Sequence, residues 1–510
     1  MEDNIGPIHG KTHREVIHIQ VGKSGNAIGH EFWRDICEEH RIDFKSESER
    51  GTFSCDNDKY KEHLEVFFNE ARNKQTSRWV PRALLVDLNM QDLAQISQSQ
   101  LGDLYRPENV IGNDEGSGNC YAKAFHTEGP DLADKVLDTV RREVEKCHKL
   151  QGVQFCHGIS GGTGAGLTGL IQRTLYDYLG QGSKCIMQNF CLAPAPGMSD
   201  VVIEPYNAAL AMQDLLEQSH QVFLFDNSAL SDICRRTLDK EVPKMSEINN
   251  IVALCMSCTT SCLRFSGPLN SDLRKMQTNL VPFRNAHFLI SGFAPLTAPT
   301  GQKYRKMSVQ DMAQQMISKD NVTVKCDPLN PGDKREGIET ARFLAAWASW
   351  RGKDFRTREV EHVTHSLQKK GSRFDKHFPD WISGCIASNI CDVPHTELGD
   401  CVCLTSNNTA VHEVFDRIMH AWDSLHKPKA YLHVFEQDGI SVENMMESRN
   451  ILEYISEQYC EFAKWEDNII KEAEGEARPA VHDPAITNEE QGRIAHELAE
   501  LAVPMYISSV

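Results

Sequence analysis

The run Ser160-Gly161-Gly162-Thr163-Gly164-Ala165-Gly166 constrains this chain more than any other stretch. It follows a short apolar strand pattern, Val153–Ile159, and precedes a helical pattern from Leu167 to about Leu179. Four glycines around one threonine let backbone come close to a ligand and leave successive N–H groups free at a helix N-terminus. Free amide donors and the helix dipole together favour an anion, above all phosphate. Two glycines make a turn; four, between a strand and a helix, point to phosphate. No Lys-Ser/Thr follows the last glycine, so the run is not a P-loop of the Walker type. Nor does it have the spacing of a dinucleotide fingerprint.

The surrounding pattern supplies a scaffold for such a loop. Glu15–Val21 alternates and is β-branched; it leads through Gly22-Lys23-Ser24-Gly25 into helical spacing. Arg82–Leu88 reads as a second strand, Pro130–Lys149 as an amphipathic helix, Cys185–Leu192 and Val222–Phe225 as further strands. Residues 41–78 read as a long loop with short elements. Alternating strands and helices imply a parallel sheet with helices on both faces, and a ligand at its carboxyl edge. A long helix is expected from Met245 through Ser257. Strands at His287–Phe293, Val322–Cys326 and Cys385–Val393 then suggest a second α/β region, and 440–471 is strongly helical.

Composition narrows the classes. The 510 residues are 40% hydrophobic and 25% charged, and 17 are cysteine. That is ordinary for a globular chain with a large core, which needs no disulfide staples. The net charge of −18 argues against nucleic acid as the main partner. No apolar run of membrane-spanning length is present. Met1–Arg14 is polar, so no secretory leader is expected, and the cysteines read as reduced thiols of a cytosolic protein. Cys255-x-x-Cys258 and Cys401-x-Cys403 lack correctly spaced partners and read as core thiols rather than a zinc site. His157, in the strand before the glycine run, reads as structural; His362 and His365 form no convincing ligand set.

The motifs resemble those of the tubulin family. Ser160–Gly166 matches its glycine-rich signature, and Val16–Gly22 resembles the family's first strand and loop. Tyr105-Arg106-Pro107-Glu108-Asn109 with Gly116-Ser117-Gly118-Asn119, Glu204-Pro205-Tyr206-Asn207, Asp226-Asn227-Ser228, Cys262-Leu263-Arg264-Phe265 and Asn279–Phe283 follow in the family's order. The similarity extends over roughly residues 14–460. It implies a Rossmann-like GTP-binding domain at 15–244, preceded by an arm at 1–14. A central helix at 245–265, an intermediate α/β domain at 266–405, a helical domain at 406–471 and a tail at 472–510 follow, as in the tubulin/FtsZ fold.

The resemblance also implies GTP or GDP with Mg²⁺. Gly161, Gly162, Thr163 and Gly164 are then expected around the α- and β-phosphates, and Gly116, Gly118 and Asn119 near the γ-phosphate. Asp200 and Glu204 are expected at the ribose, Asn227 and Asn249 at the guanine edge, where an amide offers donor and acceptor together. The departures fall in the same place. Lys23-Ser24 replaces the usual Gln-Cys, Ala27 a glutamine, Gly158 a serine and Met245 the aromatic that stacks on the base. Asn89 stands where an acid normally holds the Mg²⁺ water shell. Mg²⁺ prefers carboxylates and water. The exchange of a carboxylate for an ammonium therefore leads us to expect that Lys23 takes over part of the metal's charge, with weaker Mg²⁺ dependence and slow or absent turnover. The alternative is that Lys23 points to solvent and the site works normally.

Lys275 resembles the β-type members, as do Arg274 and Cys262, because α-type chains carry at its position a glutamate that acts on the neighbouring subunit's nucleotide; the resemblance places Asp272 and Lys275 at the longitudinal interface. A charged ammonium has no acceptor and cannot serve as that base. Tyr304 and Arg305, within 296–307, resemble the β-type lateral loop. The expected function is a GTP-binding structural subunit, assembling head to tail with an α-type subunit in a microtubule lattice of the cytoplasm, with GTPase activity if hydrolysis is retained. The alternative is a non-polymerising or specialised member that caps or scaffolds at a basal body, axoneme or other array. The tail departs from the family's glutamate-rich ends; Ile494, Leu498 and Leu501 fall at helical spacing there.

Overall fold

The computed structural model describes residues 14–46, 50–55, 58–72, 77–179, 184–195, 197–199, 201–238, 242–269, 271–296, 307–330, 340–379, 384–396 and 398–473. The expected arm before residue 14, Asp200, the lateral loop with Tyr304 and Arg305, and the tail beyond 473 lie outside them. The chain divides into two units, Met1–Ala463 and Lys464–Val510. In the second, the described residues continue the helix Val442–Ala473; the sheet belongs to the first.

The first half follows the expected alternation. It runs β1 (Glu15–Val21), α1 (Gly22–Glu39), a two-stranded antiparallel hairpin β2 (Phe68–Arg72) and β3 (Ser77–Pro81), β4 (Ala83–Asp87), α2 (Met90–Ser97), β5 (Val110–Gly112), α3 (Gly129–Glu145), β6 (Leu150–Gly158), α4 (Thr168–Leu179), β7 (Ile186–Ala193), α5 (Glu204–Gln218), β8 (Gln221–Asp226) and α6 (Asn227–Leu238). The second half continues with α7 (Met245–Arg264), α8 (Leu273–Leu280), β9 (Phe288–Ala294), β10 (Phe343–Arg351), β11 (Ile386–Cys391) and β12 (Cys401–Asn408). Ten strands form one sheet in the order β11-β10-β12-β9-β8-β7-β6-β1-β4-β5. All neighbours in it are parallel except β12, which runs antiparallel to β9 and β10. From β1 the chain moves outward through β4 and β5, then returns to the other side with β6. That reversal is the topological switch point at which open α/β sheets bind ligands.

Every residue of β1 is buried, as expected of a central parallel strand covered on both faces. Ile17, Ile19 and Val21 pack with Leu132, Val136 and Val140 of α3 and Ile171 and Leu175 of α4. Val16 belongs to the opposite cluster, with Ile28, Phe32, Trp33 and Ile36 of α1 and Val252 of α7. Each such aliphatic side chain contributes about 1.5–3 kcal/mol on burial.

Three residues of that strand are polar and buried: Glu15 at its start, and His18 and Gln20 within it. His18 Nδ1 lies 3.0 Å from Gln154 Oε1. Gln154 Nε2 donates to Gln188 Oε1, and Gln188 Nε2 to Gln221 Oε1, each at 3.0 Å. These are directly paired positions of β1, β6, β7 and β8. The ladder therefore fixes register: a slip of one residue would turn each amide to the other face of the sheet.

The second half differs from the sequence reading in two places. Val322–Cys326 is no strand. Val322 makes one bridge to Gly292, and Thr323 hooks onto Ser291 O through its amide and hydroxyl. β8 stops pairing with β9 at Ile290, and the segment takes the edge beyond it for this single bridge before bending away at 323–326, so no ladder forms. The strands β10 and β12 went unread. Phe343–Arg351 is buried at all nine positions, and an unbroken Ala/Trp run has no period to separate buried strand from buried helix. Cys255, Cys258, Cys401 and Cys403 are buried where α7 meets this part of the sheet, with Cys258 Sγ 3.8 Å from Cys401 Sγ.

Burial lowers the pKa of His18 to about 4, that of His157 to about 4 and that of His40 to about 3. These histidines are neutral in the fold and titrate near 6.5 when unfolded. The unfolded chain then binds more protons between pH 6.5 and 4, so stability rises with pH through that window and is lost on acidification. We expect the melting temperature to fall from pH 7 to pH 4.5, with a shallower slope for His18→Gln, which keeps a donor for Gln154. Equal slopes for the two proteins would show that His18 is not a buried neutral group.

Candidate functional site

A cavity of about 500 Å³ opens at the carboxyl ends of β1, β4, β6 and β7. Three loops wall it. The first, Gly22-Lys23-Ser24, leaves β1 and opens α1. Asn26 Nδ2 ties it down, donating to Gly22 O and Val86 O at 3.0 Å each. The second, Gly116–Asn119, follows β5; Gly116, Gly118 and Asn119 all have positive φ, between 57° and 66°. The third is the glycine run, which winds through a wide turn at Thr163–Leu167 into α4. Ser117 Oγ and Thr163 Oγ1 lie 3.1 Å apart, joining the second loop to the third.

The two phosphate-type loops are held together by a residue on neither. Asn207 of α5 is fully buried. Its Nδ2 donates to Asn119 O at 2.7 Å and Ser160 O at 3.1 Å, while its Oδ1 accepts from Tyr121 N at 3.0 Å. One amide thus fixes both backbones that face the cavity.

Lys23, Ser24, Asn89, Gly116, Gly118, Asn119, Gly158, Gly161, Gly162, Thr163, Gly164, Glu204 and Asn227 all line the cavity, as expected. Asn249 does not; it is buried in the second turn of α7. Met245, on the first turn of α7, is about half exposed and is also absent from the lining. Asp272 caps α8, accepting from Lys275 N at 2.8 Å, and its other oxygen meets Arg14. Lys275 is exposed.

Two oxygens in the lining are buried and without a hydrogen-bond partner: Asp87 Oδ2 and Asn227 Oδ1. Both are acceptors, so a ligand that satisfies them brings an N–H donor or a cation. Burial pushes the Asp87 carboxyl up to about 7 against hydrogen bonds from the Asn89 and Leu88 amides. Burial also raises Glu204, opposed by hydrogen bonds to Ser160 and Ser199. Behind the glycine run, His157 Nε2 lies 3.2 Å from Cys191 Sγ in the core. A larger cavity, about 1110 Å³, lies between the helices Val309–Ile317 and Thr357–Gln368, but its lining contains no glycine loop.

Residues 15–235 match the Tubulin/FtsZ family, GTPase domain, and residues 285–420 the Tubulin C-terminal domain. Over 478 residues the chain is 38% identical to the tubulin beta chain of Saccharomyces cerevisiae, an alignment covering 93% of this chain and 99% of that one. The chain belongs to the tubulin family. The cavity at the switch point of the sheet is lined by residues within the stretch that matches the GTPase domain of that family.

Asp87, Asp92 and Ser117 also line this pocket and were not singled out from sequence. Asp92 had a legible signal: it stands three residues after Asn89 on a helix that Asn89 caps. Asn207 was read only as part of the Glu-Pro-Tyr-Asn motif; nothing in the pattern shows that it faces two loops rather than a ligand. Asn207→Ala leaves Asn119 O, Ser160 O and Tyr121 N without this partner, at about 1–3 kcal/mol for each that stays dry. We expect the variant to fold, melt several degrees lower and lose bound guanine nucleotide on gel filtration. Retention equal to the unaltered protein would rule out the bracing role.

Proposed function

We propose that the chain is a β-type tubulin subunit that holds GTP or GDP in the 500 Å³ pocket and assembles head to tail with an α-type partner. The reading is carried by the meeting of an amide-lined glycine turn and an unsatisfied Asn227 Oδ1 in one pocket. The amides suit phosphates. An amide oxygen without a donor suits the N–H groups on a purine's hydrogen-bonding edge. Glu204 stands at the ribose, accepting hydroxyl protons, and Gly116, Gly118 and Asn119 stand towards the terminal phosphate. Asp200, Tyr304 and Arg305 keep the roles that the family resemblance gives them.

Mg²⁺ fits this pocket through Asp87, whose second oxygen is buried and unpartnered, with Asp92 beside it; when bound, the ion neutralises phosphate charge. Asn89 offers no charge, and its side chain is occupied as the cap of α2, accepting from Gln91 N at 3.1 Å. Lys275 lacks an acceptor, so this chain does not act as base on a neighbour's nucleotide. Its own nucleotide is hydrolysed when the neighbouring subunit supplies a carboxylate. The partner is an α-type tubulin, the assembly a microtubule of the cytoplasmic cytoskeleton. No described helix is long and apolar enough to cross a membrane.

Nucleotide extraction and co-sedimentation with αβ-tubulin test the proposal. Guanine nucleotide at about one per chain and incorporation along the polymer wall are expected. Binding at polymer ends alone would replace the lattice reading with a capping one, as at a basal body. A chain that folds without any nucleotide would overturn the assignment of the pocket.

A further inference from the structure

We infer that Lys23 and Asp92 form a charge-exchange pair at the mouth of the nucleotide pocket: Asp92 takes over the metal-side carboxylate missing at position 89, and Lys23 moves from Asp92 to the phosphates when nucleotide enters. This rests on the nucleotide reading given above.

The geometry begins with Asn89. Its Oδ1 caps α2, and its Nδ2 donates to Asp92 Oδ2 at 3.0 Å. The two residues stand three apart on one helix face. The amide therefore aims the Asp92 carboxylate towards the pocket, which that residue lines while only 16% exposed. Lys23 reaches the other oxygen from the first loop. Its Nζ is 3.6 Å from Asp92 Oδ1, and its side chain is 80% exposed. An ion pair that open to water holds its cation weakly. The ammonium is on a flexible stem with three donors, and a phosphate competes for it with several oxygens.

Charge makes the exchange necessary. Among the described residues lining the pocket, Lys23 is the single cationic side chain, facing Asp87, Asp92 and Glu204. A polyphosphate entering such a lining needs cations as well as amides. Asp87 supplies the second pointer: it is 3% exposed, and its Oδ2 has no hydrogen-bond partner. Release of Lys23 frees Asp92 to share a divalent ion with Asp87, and the same movement sets the ammonium against the phosphates. The residue pair thus divides between them the work of the lost acid: a carboxylate one helical turn further on and a mobile positive charge opposite it.

The test is the affinity for a fluorescent GDP analogue, measured on the full chain in EDTA and over a Mg²⁺ titration. Lys23→Gln is expected to lose about ten- to a hundredfold in affinity in EDTA, the scale of one charge-assisted hydrogen bond, and far less in saturating Mg²⁺. Asp92→Asn is expected to raise the Mg²⁺ concentration for half effect about tenfold, with affinity in EDTA improved because Lys23 is released from its partner. Melting curves check that both variants are folded. Equal affinity of Lys23→Gln and the unaltered chain in EDTA would overturn the exchange, and an unmoved Mg²⁺ midpoint in Asp92→Asn would overturn the role of Asp92. If the unaltered chain binds the analogue at no Mg²⁺ level, the nucleotide reading itself fails, and this one with it.

Discussion

The row of side chains His18, Gln154, Gln188 and Gln221 holds the central strands in register, and the pocket depends on that register. Segments that wall the pocket begin three to five residues beyond this row, after Val21 on β1, Gly158 on β6, Ala193 on β7 and Asp226 on β8, while the Gly116–Asn119 loop follows β5, outside the row. A buried amide ladder costs solvation unless its members are paired, and here each member bonds its neighbour across directly paired positions, leaving only the end atoms His18 Nε2 and Gln221 Nε2 without a partner. Apolar residues in the same places would pack as well and tolerate slippage. The polar choice makes one alignment of strand ends far better than its neighbours, so the first and third loops arrive at one height above the sheet.

A second buried polar feature ties that sheet to the rest of the unit. Glu39, at the end of α1, is fully buried. It takes Arg264 of α7 at 2.5 Å and Arg351 of β10 at 2.7 Å, and Ser257 donates to it at 2.7 Å. Burial alone would push its carboxyl up; the two guanidinium groups overcome this and hold it well below the usual carboxylate range. Such a network adds little net stability compared with apolar packing, but losing one member strands a charge at about 3–5 kcal/mol. Its value is positional. α1 begins at the nucleotide pocket with Gly22 and ends at this network, so one rigid helix runs from the first loop to the contact between the two halves of the sheet.

How much of this was legible in the sequence follows from what each signal measures. The glycine run, the switch from strand to helix on either side of it and the β-branched alternation of Glu15–Val21 are local, and they point to the carboxyl edge of the sheet, where the cavity opens. Thirteen of the expected nucleotide-contacting or metal-side residues line it, most of them at the ends of strands that could be read, and Gly116, Gly118 and Asn119 after the short strand Val110–Gly112, which could not. The unread features are those fixed by tertiary neighbours. Phe343–Arg351 has no period because all its faces are covered, and Val322–Cys326 has strand chemistry but meets the edge of β9 for a single bridge before it bends. Asn249 has the composition of a base contact, yet α7 carries it into the interior. Asn207 acts by bracing two loops, and no linear pattern records a partner 88 residues away; Asp92 has a local signal in its spacing from Asn89, but its pairing with Lys23, 69 residues away, has none.

The glycine run also serves more than one purpose. At Gly161 an added Cβ would meet nothing within 4 Å, so this position faces the open pocket. At Gly162 it would stand 2.6 Å from Cys120 O and Ser117 Oγ, and at Gly164 2.4 Å from Gly158 O. Those two glycines are required by protein packing rather than by the ligand. They let the second loop and the end of β6 approach the third loop to backbone contact distance, where Asn207 and the Ser117–Thr163 pair can hold them. Gly22, with φ of 75°, packs the first loop in the same way, its Cβ position 3.1 Å from Gly164 N. A larger residue at 162 or 164 would spread the loops and separate their amides before it touched any phosphate. The motif that announces an anion site is thus in large part the condition for three separate turns to share one small space, and the amide-rich surface follows from that crowding.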